Sequence, residues 1–201
     1  MMHSVRTAAH ADRAITADVL AQAFIDDPAM AYLFRDASVR PQKLARFFGL
    51  MTAIGADPAD WSLAQDAAGV PVAAAMWRPP GAWRTPTTTL IRQLPALLAT
   101  FGLALPRALA LQSALEVHHP HAPHWYLQFA GCVPAMQGKG HGGAAIRARL
   151  AQCDSQGLPA ALETATQANL GLYQALGFVI TGTYAISNGP TFWTMWRAPQ
   201  R

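Results

Sequence analysis

Cysteine is scarce in this chain: Cys132 and Cys153 are the two present in 201 residues, and they form no Cys-x-x-Cys pair. A disulfide framework is thereby excluded, and both are expected as reduced thiols. Charge is thin too, at 13% of residues against 52% hydrophobic, but abundant alanine rather than long apolar runs accounts for that. The most lipid-like run, LPALLATFGLALP at 94–106, falls short of the roughly 20 residues that span a bilayer, and Arg92 and Arg107 bracket it. The N-terminal stretch MMHSVRTAAHADRAITADVL lacks the apolar core of a signal peptide. The net charge of +4 is scattered, with no basic cluster interleaved with aromatics, so no nucleic-acid groove is expected. What remains is one cytoplasmic domain over 1–201, free of membrane and nucleic acid and long enough to bury a substantial core.

What the chain does have is an alternation of helical and strand patterns, with no repeat or low-complexity linker dividing it. Val5–Ala8 reads as a short strand, and Thr16 as the cap of a helix whose Val19, Leu20, Ala23 and Phe24 recur at helical spacing. Asp26-Asp27-Pro28-Ala29 turns the chain, and Pro41 suits the first turn of the next helix. Residues 61–81 read as a hairpin turning at Asp66–Gly69. Residues 87–117 look helical, with interruptions near Pro95 and Pro106. HWYLQFAGCV (124–133) fits a buried strand. A helix follows with Ile146, Leu150 and Cys153 on one face, and Gly157 ends it. A short strand at 159–164, a helix at 169–176 closed by Gly177, and two last strands joined through SNGP complete a mixed sheet with helices on its faces.

The sharpest local signal is QGKGHGG, residues 137–143, lying between a strand and a helix. Glycines at a helix start turn backbone N–H groups toward a phosphate. A kinase-type P-loop is excluded, because Lys139 is followed by Gly140 rather than by a hydroxyl residue, and Gly131 lies too far upstream. Gly138, Gly140 and Gly143 do satisfy the dinucleotide pattern, and Glu163 stands about 20 residues on. Against that reading, Pro134–Gln137 separate the strand from the first glycine. The loop also comes too late in the chain for the remaining crossovers.

Gln137-x-x-Gly140-x-Gly142 resembles the acyl-coenzyme A loop of the GNAT superfamily of N-acetyltransferases. The resemblance runs on through GLPAALETATQANLGLYQALGF and GPTFWTMWR, with LAQAFIDDPA and GVPVAAAMWRPPG similar to its N-terminal half. In segment order the chain is similar to the puromycin N-acetyltransferase-like members. The resemblance implies an α/β fold with a mixed, splayed six- to seven-stranded sheet flanked by helices, and acetyl-CoA as cosubstrate. It implies that the pantetheine arm enters the splay beside the backbone of Cys132 and Val133. The amides of Lys139, Gly140, Gly142 and Gly143 would take the pyrophosphate, with Gln137, Gly138 and His141 contributing mainly backbone. Asn169 and Tyr173, four residues apart on one helical face, would touch the cofactor arm and protonate the leaving thiolate. The activity implied is transfer of an acetyl group to a primary amine of a small molecule by direct attack, in a monomer or homodimer. A protein N-terminal or lysine acetyltransferase and a non-catalytic acyl-CoA sensor are the open alternatives.

Other positions carry two readings each. Glu163 is the expected base for the acceptor amine, against a purely structural carboxylate. Asp26 and Asp27 would hold the acceptor ammonium or merely make the turn. HHPHAPH (118–124) lacks the spacing and partner ligands of a metal site, so no metal is expected and His124 is placed near the substrate. Cys132 would form an acyl-enzyme or, more commonly for a strand cysteine, simply be buried. Trp61, Trp77, Trp83 and Phe101 divide between core and acceptor cleft.

Overall fold

The computed structural model describes residues 3–200. Seven strands form one sheet: β1 (Ser4–Thr7), β2 (Trp61–Gln65), β3 (Pro71–Arg78), β4 (Trp125–Cys132), β5 (Ala160–Thr164), β6 (Val179–Ala185) and β7 (Thr191–Arg197). Their spatial order is β1-β2-β3-β4-β5-β7-β6. Every neighbouring pair is antiparallel except β4 and β5, which run parallel. The β2–β3 hairpin turns where expected, with the Asp66 carboxylate accepting from the amides of Ala68 and Val70 (both 2.9 Å).

Helices cover both faces. On one side lie α1 (Arg13–Ala23), α2 (Pro28–Leu33) and α3 (Arg40–Ile54), with α4 (Thr87–Arg92), α5 (Leu94–Phe101) and α6 (Leu105–His118) beyond them. On the other lie α7 (His141–Gln156) and α8 (Leu170–Ala175). Each side has its own core. Leu20, Phe48, Leu63 and Met76 centre the first, and Trp77, Leu127, Ile146, Leu162 and Phe178 the second. Trp61 and Trp77 are wholly buried, so both belong to the core rather than to a cleft.

Two expectations change. Thr16 is not a cap: α1 begins at Arg13, and Thr16 is buried inside it. The turn before α1 is instead tied by Asp12, which accepts from the Ala9 amide (2.8 Å) and forms a two-pronged pair with Arg6 on β1 (2.7 Å each). The helical stretch is interrupted near both prolines, as expected: at Gln93 between α4 and α5 and at 102–104 between α5 and α6, so that Pro95 and Pro106 sit in the first turns of α5 and α6, where a missing N–H is harmless. Gly102, with a φ of +47°, ends α5. Finally, the apolar stretch is longer than the 13 residues read above. Leu94–His118 forms 25 helical residues, and an 18-residue window within them has a mean hydropathy of 1.6, long and apolar enough to cross a membrane by length and composition. Gly102 divides that stretch, and its halves pack against α3 and α2.

The feature that positions the site is the β4–β5 junction. The strands pair only at Trp125 with Ala160 and Tyr126 with Ala161. Beyond that, Leu127–Cys132 stay on β3 and Leu162–Thr164 stay on β7, leaving a wedge-shaped gap. A register shift in the β3–β4 pairing leaves Gln128 as the extra residue at the mouth of the wedge. Its side chain is held by Arg78 Nε (2.8 Å).

Candidate active site

The glycine loop joins the far end of β4 to α7. Gly138 and Gly140 have φ of +74° and +88°, the left-handed region that side chains disfavour, and this turns the chain into the helix. Gly140 caps α7 with its carbonyl, taking the first helical bond from Ala144 (2.9 Å). Among the described residues, no acceptor meets the N–H groups of Gly140, His141, Gly142 or Gly143. These four donors lie at the positive end of a 16-residue helix, an arrangement that favours an anion. Gly142 approaches Cys132: a Cβ built on it would lie 3.9 Å from that of Cys132, so loop and wedge are contiguous.

The side chains of the loop are largely committed. Gln137 Nε2 donates to the Cys132 carbonyl (3.1 Å), and Lys139 Nζ to the Ala135 carbonyl (3.2 Å). Lys139 is thus tied to its own turn, although its charge stays beside the loop. His141 is buried, its ring edge-on to His3 (4.5 Å between centroids). Of the two strand residues expected to meet the pantetheine arm, Val133 has spent both backbone groups: its N–H on Val72 O and its carbonyl on Met136 N, each 2.9 Å. By alternation along the strand, the N–H of Cys132 faces the wedge. The Cys132 thiol is half-buried, and burial pushes its pKa up, which opposes the thiolate an acyl-enzyme would need.

Tyr173 on α8 is buried, its ring edge-on to Phe178. Burial first, and the Asp27 charge second, push its phenol up to about 12. It therefore keeps its proton throughout the neutral range, the form a proton donor needs. Full transfer to a free thiolate, ordinarily near 8.5, is uphill from there. Asn169 ends the turn preceding α8, one helical turn from Tyr173. Asp27 makes the turn its second reading expected: Oδ1 caps α2, accepting from Ala29 N (2.9 Å) and Met30 N (3.1 Å), while Oδ2 accepts from Thr166 Oγ1 (3.0 Å). It ties the α1–α2 turn to the β5–α8 loop beside Tyr173. Asp26 is exposed, and it makes no side-chain hydrogen bond among the described residues.

Glu163 lies two residues beyond the last β4–β5 pair, on the face opposite α7. Its side chain is only 2% exposed. Around it stand His119, with Nδ1 3.7 Å from Oε1, and the phenols of Tyr126 and Tyr184. Burial and the Glu163 charge raise both phenols, so each stays protonated. His124 is buried 4.9 Å from His119 (ring centroids), and burial lowers its pKa, leaving it neutral. Trp83 stacks on His119 at 3.8 Å. Among the described residues, no group of His, Cys, Asp and Glu is arranged to hold a metal ion. His119, Tyr126 and Tyr184 were not singled out from sequence; the one signal for His119 was its place in the histidine-proline stretch.

No protein-family model matches the chain. Its solved structural relatives are nevertheless consistent in class. A structure from Corynebacterium glutamicum described as histone acetyltransferase HPA2 and related acetyltransferase superposes with a TM-score of 0.76 at 26% identity, over 100% of this chain and 98% of that one. The polyamine N-acetyltransferase of Drosophila melanogaster, which forms N-acetylagmatine, superposes at 0.62 with 15% identity, over 98% and 100%. A GNAT superfamily phosphinothricin acetyltransferase from Sinorhizobium meliloti, solved with acetyl-CoA, gives 0.54 at 17% identity, over 99% and 89%. Over its whole length, then, this chain has the fold of the GNAT acetyltransferases, and it is an N-acetyltransferase like the structures it resembles. Acetyl-CoA is bound in the Sinorhizobium meliloti neighbour, and the four free amides and the open β4 edge of this chain fit that molecule's pyrophosphate and pantetheine.

Proposed function

We propose that the acceptor is a primary amine of a small molecule, that Glu163 removes its proton, and that Tyr173 donates one to the departing sulfur. Bound acetyl-CoA supplies an activated acetyl group and a thiolate leaving group. The chain supplies the rest. Loop amides at 140–143 hold the phosphates, and the Cys132 N–H aligns the arm in the wedge. Asp27 and Thr166 fix the loop beside Tyr173.

One observation carries the small-molecule reading: the candidate base is 2% exposed and walled by His119, Tyr126 and Tyr184. A compact amine suits that enclosure better than a folded protein surface does. Thiol release measured over a panel of small amines, then over peptides, tests it. Turnover is expected with an amine, and Tyr173→Phe is expected to lower it about a hundredfold while leaving coenzyme A affinity unchanged. An unchanged rate in that variant would remove the acid role. Acetylation of peptides alone would make the chain a protein acetyltransferase, and tight cofactor binding with no turnover would make it a sensor.

A further inference from the structure

Among the described residues, the buried arginines are Arg78, Arg149 and Arg197. Two of them have a carboxylate. Arg149 stands 3.5 Å from Asp60, and Arg197 grips both oxygens of Asp154 at 2.7 and 2.8 Å. Arg78, only 4% exposed, forms no ion pair among the described residues. Its Nε donates to Gln128 Oε1 (2.8 Å) and its Nη2 to Thr85 Oγ1 (3.3 Å), both neutral. Two of the five guanidinium donors are thereby used, and Nη1 meets no acceptor among the described residues. Burial lowers the pKa of Arg78, yet a guanidinium starts so high that it keeps its charge at physiological pH. A permanent charge taken out of water without a counter-ion is strongly unfavourable. Holding Gln128 and Thr85 needs only a neutral donor, so the charge itself calls for a reason.

Its position supplies one. Arg78 ends β3 opposite Tyr126 of β4, and Tyr126 stands opposite Ala161 of β5, two residues before Glu163. The charges of Glu163 and Arg78 act on the Tyr126 phenol in opposite directions, so one phenol lies within reach of both. Gln128, which Arg78 holds, is the extra residue at the mouth of the wedge. Glu163 has no lysine or arginine partner among the described residues, and its Oε2 makes no hydrogen bond. The two sides of Tyr126 thus carry a buried cation and a buried anion, neither answered by an opposite charge from a carboxylate, lysine or arginine of the chain.

We propose that Arg78 binds a carboxylate of the acceptor, so that the substrate is an amino acid-type compound whose ammonium meets Glu163 and whose carboxylate meets Arg78. The inference narrows the small-molecule reading and rests on it, Glu163 as base included. A planar carboxylate matches the in-plane donors that the guanidinium has left. A phosphate would bring a second negative charge, and Arg84, the next cation on the loop after β3, is already paired with Glu116 (3.8 Å). An acceptor with both charges would answer the two buried groups at once, and one lacking the carboxylate would leave Arg78 as it stands.

Matched acceptors test this in the full chain with acetyl-CoA. The panel runs over amino acids from glycine to 6-aminohexanoate, each beside its carboxamide, which keeps the amine and removes the negative charge. At the best chain length the acid is expected to exceed its amide in kcat/KM about tenfold to a hundredfold, mainly through a lower KM. Arg78→Met keeps an unbranched stem without the charge and should erase that preference. Arg78→Lys keeps the charge without the planar fork and should retain part of it. The wild-type comparison decides the matter even where the methionine variant does not fold. An amide as good as its acid in the wild type would overturn the proposal. So would a preference that survives in Arg78→Met, or a loss in that variant that strikes acid and amide equally, which would mark Arg78 as structural only. The two levels separate cleanly. If uncharged amides turn over as well as any acid, this inference falls and the small-amine reading stands; if only peptides are acetylated, both fall.

Discussion

Asp27 joins two halves of the molecule through one carboxylate, with one oxygen capping α2 and the other holding Thr166. Burial pushes its pKa up, against the lowering effects of the Met30 amide, the Thr166 hydroxyl and the Ala29 amide. A carboxyl whose folded pKa exceeds its unfolded one binds more protons folded than unfolded, so its contribution to stability falls as pH rises through that window. Asp27→Asn keeps an acceptor for the cap and removes the charge. It should therefore gain thermal stability relative to wild type as pH rises above the ordinary carboxylate range, a trend that melting curves at several pH values would read. Asp27→Ala should instead lose about 1 kcal/mol at every pH, because the cap goes too. At this scale the sequence was informative about residue type and blind to partners. Tyr173 and the loop glycines stand in a spacing that can be read locally. The surroundings of Glu163 come from positions 83, 119, 124, 126 and 184, and no spacing along the chain announces that they meet.

Among the elements, α1 and β4 approach closely at Gly131. A Cβ on Gly131 would lie 2.5 Å from Ala23 Cβ and 3.3 Å from the Phe24 ring. Both obstacles are anchored on the helix backbone, so Gly131→Val must push α1 off the sheet. A loss of about 1–3 kcal/mol in chemical denaturation is expected, together with weaker acetyl transfer, because α1 leads directly into the turn carrying Asp27. Stability equal to wild type would show that α1 is free to move. The strands and the β2–β3 turn were legible because alternation and turn residues act within a few positions. Helix starts were less so. Thr16 has the chemistry of a cap but is buried within α1, and Asp12 with Arg6 does the tying instead. The helix breaks before Pro95 and Pro106 were legible, because a proline suits a first turn and not a helix interior.

Across the whole molecule, the splay between β4 and β5 makes sense of the rest. A continuous sheet would satisfy the Cys132 N–H within the chain; the open wedge leaves it available, next to four free amides at the start of α7. The order of segments along the sequence suggested this architecture, but the width of the gap follows from β4 holding to β3 and β5 to β7. Acetyl transfer by this chain requires those amides to grip a coenzyme A thioester rather than a redox dinucleotide. Titration calorimetry of the full chain tests that most directly. Acetyl-CoA is expected to bind at one site per chain with saturable heat, and NADH to give none at the same concentrations. Saturable heat with NADH and none with acetyl-CoA would contradict it.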